Sequence, residues 1–131
     1  MPITDNWDHL SLRDWQEFAS AWIAELDGSA SSGEDLGQKV VLMNFTATAA
    51  QQWLFLVAAV NAARSEDHLA AIAAGPLEHL LVKHGHAYIS LVETEAQNSK
   101  SFADAVAAVW RNSMSDEVWS RVQSIQALVQ K

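Results

Sequence analysis

Two glutamates and a histidine in the second half of the chain are the residues best suited to acid–base chemistry. Glu78, His84 and Glu95 each fall beside the apolar stripe of a predicted helix. If these helices pack against each other, the three side chains converge between them. Carboxyl and imidazole groups buried together have shifted pKa values and can exchange protons with a substrate. The pattern therefore raises the hypothesis of a small enzyme or ligand binder.

A structural role accounts for Glu78 more simply. The residue follows Gly75 and Pro76 in the first turn of a predicted helix, where a carboxylate can bond free backbone N–H groups. No nucleophile, glycine-rich phosphate loop or metal-binding partner accompanies the three side chains. The sequence therefore favours a structural role for Glu78, and it predicts neither a catalytic residue nor a cofactor.

Three histidines lie close enough in sequence to suggest a metal site. His79, His84 and His86 are separated by five and two residues, whereas two histidines on one helix bind an ion best when they are four apart. Histidines near a helix C-terminus also complement the helix dipole without any metal. The chain has no cysteine to add a thiolate ligand. No metal site is predicted.

The negative charge of the chain is concentrated near its N-terminus. The net charge is −8, and residues 1–35 hold eight acids against one base, a net charge of −7. Nucleic-acid binding is disfavoured because it requires a basic surface. An acidic surface instead steers basic protein partners, although it can equally be a solvated face. The candidate partner-binding residues are Asp14, Glu17, Glu25, Asp27, Glu34 and Asp35.

Six tryptophans in 131 residues indicate a large aromatic core. Four of them lie on apolar stripes and are predicted to be buried, namely Trp15, Trp22, Trp53 and Trp110. Trp7 and Trp119 lie at stripe edges, where core packing is expected but where tryptophan can also anchor a partner. A homo-oligomer built through tryptophan-bearing faces is a further hypothesis.

The elements that must position these residues are all helical, because apolar residues recur with a period near 3.6 throughout. The sequence predicts a compact all-α single domain over residues 1–131, with six to eight short helices. An acidic helix is expected over 11–27, a loop over 27–35 and the helical body over 36–131. A helix near 48–63 is apolar on every side and is predicted to be buried at the centre.

Three helix starts have predicted capping residues, namely Ser11 with Asp14, Thr48 with Gln51, and Ser65. The body is also expected to contain a helix break. Gly75-Pro76 predicts a break and restart, because proline cannot continue a helix from behind. His84-Gly85 predicts the end of the restarted helix through a glycine cap. Helices are then expected over 86–98, 102–112 and 116–129.

The N-terminus and the hydropathy pattern favour a cytoplasmic protein. The first residues have neither a basic region nor an apolar region of the kind found in secretory signals. The longest apolar run, Trp53 to Val60, is far shorter than the roughly 20 residues of a membrane span.

The segment from Ala73 to Gly85 resembles a family of small bacterial proteins classed as a domain of unknown function. The family has a core like A-G-P-L-E-x-L-L-x-x-H-G, and residues 75–85 read G-P-L-E-H-L-L-V-K-H-G. The resemblance covers roughly residues 45–120 and leaves the acidic N-terminal segment outside. At the position after the glutamate, where the family commonly has aspartate, this chain has His79. The resemblance implies a helical fold and no known activity.

These observations favour a non-catalytic, acidic protein-binding module that engages a basic partner. An immunity-type inhibitor that blocks the cationic active site of a bacterial toxin is one example of such a module. The alternative is the small enzyme or ligand binder that uses Glu78, His84 and Glu95.

Overall fold

The computed structural model describes residues 7–28 and 35–129, and these form an all-α fold without strands. The predicted fold class is therefore confirmed, with seven α-helices and one π-helical turn among the described residues. In chain order the elements are α1 (Leu12–Leu26), α2 (Leu36–Thr46), α3 (Ala49–Ala62), α4 (Glu66–Ile72), the π turn (Ala73–Leu77), α5 (Glu78–Asn98), α6 (Lys100–Ala107) and α7 (Asp116–Val129).

Side-chain caps set the starts of the helices, as the sequence predicts. Ser11 and Asp14 form a capping box at the start of α1, and Thr48 and Gln51 form one at the start of α3. Ser65 accepts a hydrogen bond at the start of α4. Because a cap depends on residues only a few positions apart, its residues and spacing are visible in the sequence.

The core is centred on the contact between α1 and α3. Phe55 of α3 is fully buried and packs against three aromatic rings of α1, with centroids 4.7 Å from Phe18, 5.7 Å from Trp22 and 6.5 Å from Trp15. Such aromatic pairs stabilise a core beyond the burial of their area. Six of the fourteen residues of α3 are buried and five are half-buried, whereas Leu54 remains 38% exposed.

The prediction that Trp110 is buried is wrong, because this side chain is 75% exposed. Helix α6 ends at Ala107 and not near Asn112, so residue 110 lies in the irregular connection to α7. A helical stripe therefore does not extend to Trp110. Trp15 and Trp22 are buried as predicted, Trp53 and Trp119 are half-buried, and Trp7 is buried.

The helix break predicted at Gly75-Pro76 is replaced by the π turn. Pro76 has no N–H group to donate to the preceding turn, and the wider π geometry accommodates its ring without ending the helix. The predicted end at His84-Gly85 coincides with a kink, where His84 has non-helical φ −132° and ψ 23° and separates the two helical segments of α5. Gly85 does not have the positive φ of a left-handed glycine cap.

Gly85 instead allows α5 to approach α7 closely. A Cβ atom at this position would lie 2.9 Å and 3.0 Å from the two γ carbons of Val118, which is buried. Valine has few alternative χ1 rotamers, so it cannot easily move away. The close contact between α5 and α7 therefore requires glycine at position 85.

We expect Gly85→Ala to lower the free energy of unfolding by about 1–3 kcal/mol through overpacking against Val118. Gly75→Ala is the matched control, because a Cβ atom there meets nothing within 4 Å and alanine favours a helix over glycine by up to about 1 kcal/mol. Urea unfolding of the two variants measures the difference. Equal stabilities would contradict the proposed role of Gly85.

Candidate functional site

No hydrogen bond or ion pair between described residues joins the three candidate acid–base residues. Glu78 and Glu95 lie on opposite sides of the kink in α5, as expected for two helical segments that meet near Gly85. His84 lies at the kink and is half-buried, as is Glu95. The Glu78 carboxylate, however, bonds the α6–α7 connection and neither of the other two candidates.

The Glu78 carboxylate holds the connection between α6 and α7. One oxygen accepts a hydrogen bond from the backbone N–H of Trp110 at 2.7 Å, and the other accepts one from the Asn112 side-chain amide at 2.6 Å. Asn112 has φ +51°, a left-handed conformation that asparagine tolerates better than most residues. The sequence suggests bonding to backbone N–H groups near the start of the helix. The observed donors are more than thirty residues away.

A groove lies beside the π turn, between α2, the start of α5 and the α6–α7 connection. Its volume is about 360 Å³. We call it the π-turn groove, and the residues that matter below are Val41, Asn44, Phe45, Glu78, His79 and Asn112. The carboxylate of Glu78 thus both fixes one wall of the groove and contributes to its lining.

Two acceptor groups in the π-turn groove are not fully used. Asn44 is 8% exposed, and its Oδ1 atom has no hydrogen-bond partner among the described residues. An unsatisfied buried acceptor costs roughly 1–3 kcal/mol and calls for an explanation beyond folding. Glu78 has no ion-pair partner within residues 7–28 and 35–129, and each of its oxygens has a second lone pair.

The π-turn groove is lined by two rings: the exposed phenyl ring of Phe45 and the half-buried, ionisable imidazole of His79. Phe45 is 70% exposed and meets His79 in a T-shaped contact with centroids 5.1 Å apart. Burial lowers the pKa of His79 below its ordinary value, and the charges of Lys83 and His84 act in the same direction. The His79 imidazole is therefore neutral near pH 7.

The acidic residues at the end of α1 serve largely as contacts within the chain. Glu25 accepts hydrogen bonds from the backbone N–H groups of Leu36 at 2.7 Å and Gly37 at 2.9 Å. Asp35 accepts a bond from Gln38 as the N-cap of α2. Both carboxylates thus stabilise the N-terminus of α2, where the helix dipole favours negative charge.

Asp27 joins the end of α1 to α4. It lies 2.7 Å from Nε2 of the buried His68, whose Nδ1 accepts a hydrogen bond from the backbone N–H of Arg64. Nε2 is therefore the nitrogen that donates to Asp27. This hydrogen bond is the main reason why the pKa of Asp27 is lowered, and Arg64 adds to the effect.

The remaining acidic candidates lie near the start of α1 or outside the described residues. Asp14 belongs to the capping box, and its hydrogen bonds with Ser11 lower its pKa. Glu17 forms an exposed ion pair with Arg13. Glu34 lies outside the described residues. Because Glu17 does not cap any helix, it is the described acidic candidate most available to a partner.

Among the described residues there is neither a metal-binding cluster nor a membrane-spanning helix. Within the part of the chain that the structure describes, no three His, Cys, Asp or Glu residues are grouped so that they could hold a metal ion. Across the same residues, no helix has both the length and the apolar character of a membrane span.

The sequence interpretation missed four residues at the π-turn groove: Asn44, Phe45, Asn112 and Ser113. The stretch from Val40 to Ala63 contains no charged residue, so its hydropathy does not indicate which side of α2 faces solvent. Val41 and Phe45 are four residues apart, a helical spacing that fits an exposed apolar face as well as a buried one.

Replacing Glu78 by glutamine should lower the free energy of unfolding by roughly 2–3 kcal/mol, because one of its two N–H donors then faces an amide NH₂ group. The control is Glu95→Gln, whose carboxylate is half-buried on the same helix and has no hydrogen bond to another described residue. We expect a change within about 0.5 kcal/mol there. Chemical denaturation compares the two variants, and a Glu78 variant as stable as the control would refute the structural role.

Comparison with known proteins identifies a family without assigning an activity. Neither the curated proteins nor the solved structures include a significant match to this chain. The model of the family of unknown function DUF6869 matches residues 30–129, a range that contains the whole π-turn groove and leaves α1 outside. The match covers most of the chain, and we conclude that the protein belongs to the DUF6869 family.

Proposed function

We propose that this protein is a non-catalytic, cytoplasmic module that binds a basic protein partner through the π-turn groove. The observation that carries the proposal is the exposure of two aromatic side chains, one that lines the groove and one in the α6–α7 connection, which contributes Asn112 and Ser113 to the lining. Phe45 is 70% exposed and lines the groove, and Trp110 is 75% exposed in the segment that Glu78 holds. Large exposed aromatic residues are enriched among the residues that dominate binding energy at protein interfaces.

Preorganisation of the groove supports the same function. The two hydrogen bonds from Trp110 and Asn112 to Glu78 fix the α6–α7 connection relative to α5 before any partner arrives. A surface already fixed in its binding conformation loses less conformational entropy on association. The π turn adds to this argument, because such turns are frequent at functional sites.

The negative charge of this chain is the reason for proposing a basic partner. The chain has a net charge of −8, and such a field accelerates association with a cationic protein. The carboxylates of Asp14 and Glu25 bond backbone N–H groups within the chain, so we assign them a steering role. Glu17 bonds no backbone group and forms only an exposed ion pair with Arg13, so we assign it a direct role. Inhibition of a basic toxin by an immunity-type protein is one function that fits this description.

The alternative of an enzyme built on Glu78, His84 and Glu95 has less support. Neither His84 nor Glu95 lines the π-turn groove with Glu78, whereas general acid–base catalysis requires groups within hydrogen-bond reach of one substrate. Glu78 also uses both oxygens to hold the α6–α7 connection.

Truncation of the exposed aromatic residues should weaken partner binding at least about tenfold for each of Phe45→Ala and Trp110→Ala. Leu128→Ala is the control, because this side chain is also exposed, at 68%, but lies on α7 away from the groove. Affinity capture from a native lysate, followed by quantitative binding with the recovered basic protein, measures the effect.

Two results would contradict this proposal. One is a partner that binds all three variants equally well. The other is a dimer in light scattering that Phe45→Ala converts to a monomer, because the groove would then be covered by a second copy of the chain.

Charge reversal on α1 should slow association without affecting any cap. In the triple variant Gln16→Lys, Glu17→Lys and Ser20→Lys, all three positions are exposed and only Glu17 carries a charge. We expect association with the basic partner to slow by about tenfold at low salt, and the difference to shrink as salt screens the charges. Stopped-flow kinetics at two salt concentrations measures both effects.

The matched control places the same charge change on α7. Glu117→Lys, Gln123→Lys and Ser124→Lys are also exposed positions, so the net charge of the chain changes equally. If both triple variants slow association to the same extent, steering depends on total charge and the role assigned to α1 is wrong.

A further inference from the structure

The π-turn groove presents hydrogen-bond acceptors without a cation to satisfy them. Glu78 is 9% exposed and bears a carboxylate that receives two neutral N–H donors and no ion pair from the described residues. Buried carboxylates are stabilised when a cation is nearby, and the lone pairs left on the Glu78 oxygens can accept its N–H groups.

Phe45 adds an aromatic ring suited to the same kind of ligand. Its ring is 70% exposed, and it lines the groove together with Glu78 and Asn44. The face of an aromatic ring attracts a cation placed within about 6 Å of its centre. A negative carboxylate and an exposed aromatic ring line the same groove, and both favour a positively charged group.

No positive group of the chain occupies this place among the described residues that line the groove. His79 is its one ionisable nitrogen base, and burial lowers the pKa of this imidazole. Lys83, whose charge acts on His79, is exposed and does not line the groove. The groove therefore does not repel an incoming cation through a charge of its own.

We infer that the π-turn groove accepts an arginine side chain of the partner, with its guanidinium bonded to Glu78 and lying near the ring of Phe45. The inference rests on the proposed function, because it names the partner group that the groove recognises. Arginine fits better than lysine because its planar head offers five N–H donors to several acceptors and stacks on aromatic rings. Its apolar stem can pack against Val41 and Val82, which also line the groove.

The test uses the full chain and two small probes of the same shape. Nα-acetyl-arginine N-methylamide carries the guanidinium, and the corresponding citrulline compound replaces it with a neutral urea group. We expect the arginine compound to bind weakly and to shift the backbone N–H signal of Trp110 in nuclear magnetic resonance titrations, because Glu78 accepts from that N–H. The citrulline compound should bind several-fold more weakly or not at all.

Variants locate the binding site. Phe45→Leu keeps an apolar side chain at an exposed position, and the loss of its ring should weaken arginine binding by roughly two- to fivefold. Glu78→Gln should abolish binding, and Glu95→Gln should leave it unchanged. If Glu78→Gln proves too unstable to titrate, Phe45→Leu decides the question, because an exposed position tolerates the change.

Equal binding of the two probes would overturn the inference, as would shifts confined to α1 or insensitivity to Phe45→Leu. Failure of this inference is distinguishable from failure of the proposed function. If Phe45→Ala and Trp110→Ala lose the partner but no arginine probe binds, the groove is a protein-binding surface that does not recognise arginine. If the arginine probe binds but Phe45→Ala and Trp110→Ala leave partner binding unchanged, the arginine site is supported and the proposed protein-binding role is wrong.

Discussion

The Glu78 carboxylate links the start of α5 to the irregular connection between α6 and α7, which is not a contact between two helices. It stands at the start of α5, and its two hydrogen bonds reach the irregular segment between α6 and α7. That segment carries an exposed tryptophan and an asparagine with positive φ, and neither feature stabilises a loop by itself. A charged acceptor bonded to two donors offsets this, because such hydrogen bonds are stronger than neutral ones.

The placement of Glu78 depends in turn on the π turn and the kink. Pro76 lies in the π turn just before α5, so the chain enters this helix without a break. Eight residues after Pro76, the conformation of His84 kinks α5, and Gly85 then allows close contact with Val118 of α7. The motif from Gly75 to Gly85 therefore supplies two of the contacts of α5 with the C-terminal part of the fold.

Local features of the fold were predictable from sequence, whereas contacts between distant residues were not. The caps of α1, α3 and α4 depend on residues three or four apart, and each was identified. The bonds from Glu25 to α2 and from Glu78 to the α6–α7 connection join residues 11 to 34 positions apart. Periodicity and capping rules carry no information at that range.

The errors at the site have the same physical origin. The sequence predicts a buried Trp110 because the apolar spacing of α6 continues to it. The helix ends at Ala107, and no glycine or proline marks this end in the sequence. Phe45 was overlooked because α2 lies in an uncharged stretch whose outward side cannot be inferred from its composition. In both cases tertiary packing decided exposure, and propensity only limited the choices.

Stability alone does not explain the π-turn groove. A polar residue at position 45 would avoid exposing an aromatic ring, and an apolar residue at position 44 would avoid burying an acceptor without a donor. Both costs occur in one groove, together with a buried carboxylate that has no ion pair among the described residues. Proteins depart from folding rules chiefly at functional sites, where another requirement outweighs stability. Three such departures in one groove support a binding role there more strongly than any one of them does alone.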